Sequence, residues 1–150
     1  MNKFVVMSLF FFIFITLGCS NNNLIGEKPP KFLLKINKEM YETTLGTYCW
    51  NGNCVDAIEP LELLEGKETI KVKPNENIKL EMDDEPKPDE YRMVEMIDGK
   101  ENDIKLKNNR FIAPKEKGIY YYSYTVWWTD KEKTNVSQGD ATYIFSLEVI

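Results

Sequence analysis

Thiols, crowded carboxylates and aromatic rings are the groups in this 150-residue chain with chemistry to offer, and histidine is absent. Without an imidazole the chain lacks the commonest general base and metal ligand, so Ser–His and Cys–His nucleophiles and His-held zinc are closed to it. Catalysis would fall to Lys, Tyr or paired carboxylates. The expectation is therefore a protein that is not an enzyme and needs no cofactor or metal.

The three cysteines, Cys19, Cys49 and Cys54, divide by context. Cys19 follows a lone charge at Lys3, an apolar run from Phe4 to Leu17, and Gly18, which is the layout of a signal peptide over residues 1–18. As a helix that run would span about 21 Å, short of the roughly 30 Å hydrocarbon core. Its ending resembles the lipobox of bacterial lipoproteins, although Thr16 stands where that family usually has an aliphatic residue. The resemblance implies that the Cys19 thiol receives diacylglycerol, with palmitate-type chains, before cleavage on its amino side. Two buried acyl chains supply on the order of 20 kcal/mol of gross membrane affinity, enough for anchoring without a basic patch.

Acylating Cys19 leaves an even pair for an oxidising compartment. Cys49 and Cys54 flank Trp50-Asn51-Gly52-Asn53, and Asn51-Gly52 is the strongest two-residue hairpin signal, because a type I′ turn needs positive φ at both positions. Trp50 and Asn53 would close the turn, making Cys49 and Cys54 a non-hydrogen-bonded cross-strand pair and a disulfide. A redox-active pair is the alternative, but the spacing is not Cys-x-x-Cys and no helix start lowers the Cys49 pKa.

Two further constellations deserve weighing. Glu81, Asp83, Asp84, Glu85, Asp89 and Glu90 crowd around Pro86 and Pro88 without EF-hand spacing, so a solvated loop is expected rather than a calcium site. Asp83 with Asp89 could serve carboxylate-dependent glycan hydrolysis, as could any acidic loop. Among aromatics, Trp50 with Tyr48 on the rigid turn is the expected exposed ligand site, since such side chains lose little entropy on binding. Tyr121 and Trp127 form a second option, a sugar-stacking platform or the cover of another core edge.

The elements that must position these groups are strands. Residues 19–31 are polar, with three consecutive Asn and Pro29-Pro30, and read as the lipidated cysteine plus a flexible tether of up to about 40 Å. From 32 to 150, turn signals bound about nine short alternating runs. Phe32, Leu34 and Ile36 share one face. Ile70 and Val72, then Ile78, Leu80 and Met82, repeat the pattern across a Pro74–Asn77 turn. Tyr91–Ile97 and Ile104–Lys107 form a pair about Asp98-Gly99, and only residues 61–64 look briefly helical. The clearest rows are Tyr120, Tyr122, Tyr124, Val126 and Trp128 against Ala141, Tyr143, Phe145, Leu147 and Val149, two long strands expected to bury both rows in one core. The fold class expected is all-β, a single antiparallel immunoglobulin-like β-sandwich.

Pro114-Lys115-Glu116-Lys117-Gly118-Ile119-Tyr120-Tyr121-Tyr122, then Trp128, then Gly139-Asp140-Ala141-Thr142-Tyr143-Ile144-Phe145, resembles the last hairpin of small Gram-positive extracytoplasmic lipoproteins of unknown function. Gly46-Thr47-Tyr48-Cys49-Trp50 with Cys54-Val55-Asp56 is similar to the same family. The resemblance implies an extracytoplasmic Ig-like domain and carries no catalytic or binding residues with it.

Removing Lys3 with the leader leaves 18 basic against 24 acidic groups, a net charge of -6. That balance disfavours nucleic acid, which needs a basic face. The functional expectation is a lipid-anchored, non-catalytic binding or accessory module on the outer face of the cell membrane, with an envelope protein or wall glycan as partner. The alternatives are an envelope thiol-disulfide oxidoreductase using Cys49 and Cys54, and a carboxylate-dependent wall-glycan hydrolase.

Overall fold

The computed structural model describes residues 24–130 and 136–150. In chain order its strands are β1 (Phe32–Ile36), β2 (Glu39–Glu42), β3 (Thr44–Trp50), β4 (Asn53–Val55), β5 (Ile70–Val72), β6 (Asn77–Met82), β7 (Glu90–Ile97), β8 (Lys100–Asp103), β9 (Arg110–Ile112), β10 (Gly118–Thr129) and β11 (Ser137–Val149). A single helical turn, α1 (Pro60–Leu63), starts on a proline, whose missing N–H costs nothing there. The strands form two sheets, one ordered β2-β1-β6-β9 and the other β4-β3-β11-β10-β7-β8, with β5 also on β11. The sheets pack face to face as an all-β sandwich. The register is antiparallel throughout except for β5, which runs parallel to the last strand over Leu147–Val149.

The pairings follow the immunoglobulin-like pattern, in which β6 and β9 lie in one sheet while β7, β10 and β11 lie side by side in the other. Tyr120, near the start of β10, donates its hydroxyl to the Glu116 carbonyl at 2.9 Å. That is the geometry of the tyrosine corner that closes this turn in such sandwiches. Gly118 at φ 155 leads into it.

Alternation fills the core as the two long rows predict: Tyr122, Tyr124, Val126 and Trp128 from β10 meet Ala141, Tyr143, Phe145, Leu147 and Val149 from β11, all buried. The opposite sheet supplies Phe32, Leu34, Ile36, Ile78, Leu80 and Phe111. Phe32 stacks on Tyr124 at 4.6 Å and Tyr122 on Phe145 at 5.2 Å, offset arrangements that aromatic quadrupoles favour. The Tyr143 hydroxyl, buried with its ring, donates to the Pro30 carbonyl at 2.6 Å, and burial raises its pKa well above the usual phenol range.

Two expected pairings differ. Asp98 (φ 48) and Gly99 (φ 72) make a two-residue turn, so β7 pairs with Lys100–Asp103 directly after it, and of residues 104–107 the Ile104 amide adds a bond to the Met93 carbonyl at 2.8 Å. Ile104 and Leu106 instead pack against the core beyond the strand's end. The Pro74–Asn77 turn is not a hairpin either: β5 lies in one sheet and β6 in the other, so this turn crosses the sandwich.

Candidate functional site

Cys19 and the leader lie outside the described residues. Cys49 and Cys54 face each other across the β3–β4 pair and are disulfide-bonded, with α-carbons 4.0 Å apart. Asn51 (φ 51) and Gly52 (φ 78) occupy the turn in the left-handed backbone region it demands. The disulfide lies on the outer side of the larger sheet, with Cys54 exposed and Cys49 half-buried.

Trp50 and Tyr48 are not the exposed ligand site the turn suggested. Side chains alternate along a strand, so an outward Cys49 sends both neighbours inward. Trp50 is 0% exposed and Tyr48 8%. The Trp50 ring meets Trp128 edge-on at 4.8 Å, and its indole N–H donates to the Gly26 carbonyl at 3.1 Å.

The tether needs a matching correction, because residues 24–30 are docked on the sandwich. Leu24, Pro29 and Pro30 are buried, and the Asn51 amide donates to the carbonyls of Leu24 at 3.3 Å and Gly26 at 3.0 Å. Leu24 lies so close over Gly139 that a β-carbon there would come within 2.8 Å of its methyl. Periodicity does not reveal this strap, because its hydrogen bonds run through main-chain carbonyls and its buried side chains, Leu24, Pro29 and Pro30, have no regular spacing.

The acidic loop is held by hydrogen bonds from Lys87, Trp128 and Thr129. The Lys87 ammonium donates to the carbonyls of Met82 at 2.9 Å and Asp84 at 3.2 Å, and lies 3.7 Å from a Glu85 carboxylate oxygen. The Trp128 indole donates to the Pro86 carbonyl at 2.7 Å, across a cis Glu85–Pro86 bond. Asp89 accepts the Thr129 amide at 2.9 Å, so its carboxylate holds the end of β10, and Asp83, at the start of the loop, is exposed. Among the described residues no group of three or more metal-ligating side chains converges.

What remains is the outer face of the larger sheet. Strand β10 presents Tyr121, Ser123, Thr125 and Trp127 there, every one half-buried, over a run of about 20 Å. Register places Trp127 between Asp140 and Glu90, and Thr125 between Thr142 and Arg92. The Thr125 and Thr142 hydroxyls bond each other at 3.0 Å. Arg92 is fixed by Glu101 at 2.7 Å and Asp103 at 2.9 Å. Beside it a shallow depression of about 370 Å³ is lined by Tyr91, Arg92, Met93 and residues 103–106.

One side of this face is roofed by the chain itself. The 56–69 segment crosses β3, tied down by the Ala57 amide on the Thr47 hydroxyl at 3.1 Å and the Lys67 ammonium on the Thr44 hydroxyl at 2.8 Å. A β-carbon at Gly46 would lie 3.1 Å from the Ile144 methyl and 3.5 Å from Leu63, so a small residue lets this segment pack closely. Ile144 and Leu64 are accordingly buried on the outer side. The open part is the Trp127–Thr125 end of the row with Asp140, Thr142, Glu90 and Arg92 beside it, whereas the neighbours of Ser123 and Tyr121 on this face, Val94, Ile144 and Ser146, are buried. Asp140 lies opposite both Cys49 and Trp127, and partial burial raises its carboxyl pKa, an effect partly offset by the Cys49 amide it accepts.

Comparison with known proteins finds no matching family model, no matching curated protein and no matching solved structure.

Proposed function

We propose that the chain is a lipoprotein anchored through Cys19 to the outer face of the cell membrane, as in the Gram-positive lipoproteins its motifs resemble. Its sandwich is a non-catalytic module that binds wall glycan on the outer face of the larger sheet. The observation that carries this reading is the Tyr121–Ser123–Thr125–Trp127 row, half-buried on a long strand paired on both sides. Aromatic faces separated by hydroxyls suit sugar rings, which offer both apolar C–H faces and hydroxyl groups. A strand with neighbours on both edges holds them without reorganisation, which lowers the entropic cost of binding.

Titration of the leaderless protein with soluble wall-glycan fragments tests the binding half. Trp127→Ala should weaken binding at least tenfold while leaving the fold intact; unchanged affinity would remove this face from consideration. The anchoring half is tested by Cys19→Ala, which should abolish lipid labelling. A variant that still partitions into detergent at wild-type mobility would instead be held by an uncut leader.

One observation favours a second reading. Cys54 is exposed, and Asp140 beside Cys49 could take up or give a proton there. In an envelope thiol oxidoreductase a partner's dithiol would be oxidised as this disulfide is reduced. A reduction potential below about -300 mV excludes that role, whereas one near -120 mV favours it.

A further inference from the structure

The docked strap bears on how the domain meets the membrane. The tether of residues 20–31 looks long enough to let the sandwich tumble freely, but residues 24–30 are clamped by Trp50, Asn51 and Tyr143. Only residues 20–23 separate Cys19 from buried Leu24. Fully extended, that leash reaches about 18 Å. The 13-residue strand β11 is about 43 Å long, so the leash is well short of the domain's own height.

Its attachment point defines one end of the sandwich. Leu24 packs over Gly139, next to the Asn51-Gly52 turn. The 83–89 loop is at the same end, through Pro86 on Trp128 and the Asp89 amide on the Trp127 carbonyl. The turns at Asn37-Lys38 and Asp98-Gly99 lie at the far end of the same strands. Next to Leu24, Ile25 is 73% exposed, an apolar side chain on the rim nearest the anchor.

Resting on the Cys19 anchor, we propose that the domain stands on the bilayer by its Leu24–Asn51 end, with Ile25 and the Asn51-Gly52 turn facing the headgroups and the Asp98-Gly99 end facing outward. The partner of this end is the lipid surface itself. The glycan face runs up the side of the sandwich, so a domain held this way presents Tyr121, further from the anchor than Trp127, towards the wall.

The test uses the full lipidated protein in nanodiscs of phosphatidylcholine containing a gadolinium-chelating lipid, with amide signals read by NMR. Broadening should be strong at Asn51, Gly52 and Ile25 and weak at Lys38, Gly99 and Lys117. Inserting eight Gly/Ser residues between Asn23 and Leu24, which leaves every clamp contact in place, should cut the broadening at Gly52 several-fold. Asn51→Gly, which keeps the turn's backbone but removes the amide's grip on Leu24 and Gly26, should act in the same direction. Mass spectrometry of the same sample reads the Cys19 modification. Absence of diacylglycerol on Cys19 overturns the anchoring and this orientation together. A diacylated protein with equal broadening at both ends, or with no response to the insertion, overturns the orientation alone.

Discussion

Replacing Trp50 by Ala gives the sharpest test of how this hairpin is built. The side chain is 0% exposed, packs edge-on against Trp128 at 4.8 Å and donates to the Gly26 carbonyl. Truncating a buried Trp to Ala costs about 3–5 kcal/mol through lost burial and the cavity left behind. The lost indole hydrogen bond adds at most about 1 kcal/mol, because the Gly26 carbonyl keeps the Asn51 amide as a donor. The expected loss is thus about 4 kcal/mol or more, a large part of the roughly 5–15 kcal/mol a domain holds. The melting temperature should fall by on the order of 10–20 °C. Urea unfolding of the leaderless protein, followed by far-ultraviolet circular dichroism so that the missing indole does not bias the signal, measures it. Trp127→Ala, made on the half-buried outer row, is the control and should cost about 1 kcal/mol. A Trp50→Ala variant within about 1 kcal/mol of the parent would refute the packing described for Trp50 and restore the turn as a candidate exposed site.

Further outcomes follow from other contacts. Replacing both Cys49 and Cys54 by Ala should cost only about 2 kcal/mol in the same unfolding assay, since the loop they close is short. Tyr120→Phe, which removes the hydroxyl from the Glu116 carbonyl, should cost about 1 kcal/mol with no change in fold by NMR. Asp140 gives a pH signature: its folded pKa lies above the ordinary 3.8, so the folded state holds the proton more tightly than the unfolded chain does. Stability therefore falls as pH rises from about 3.8 through the folded value. Asp140→Asn should match the parent's melting temperature near pH 3 and exceed it at pH 7; a gap that stays constant with pH would contradict the assignment.

Much of the fold was legible because period-two alternation and left-handed turns leave direct marks in sequence. Asn51-Gly52 and Asp98-Gly99 each sit at positive φ, and the rows from Tyr122 to Trp128 and Ala141 to Val149 are buried, with Tyr120 only partly so. Alternation says that a strand has two faces but not which one meets the core. The disulfide held that missing information, since an outward Cys49–Cys54 pair obliges Trp50 and Tyr48 to point inward. Parallel pairing of β5 with β11 and the crossing at Pro74 left no local signal, because both depend on which sheet a short strand joins. The strap was illegible for a related reason: Gly26 and Leu24 are held by their carbonyls, which every residue possesses. The outer row at Tyr121 and Trp127 could be read from alternation, whereas its partial roofing by the 56–69 segment could not.

The most direct measurement of the proposed function is an amide chemical-shift titration of the leaderless protein with soluble fragments of wall glycan. Shifts clustered at Tyr121, Thr125, Trp127, Asp140 and Thr142, and lost in Trp127→Ala, are the expected result. No saturable shift on this face, or shifts gathered elsewhere on the sandwich, would contradict it.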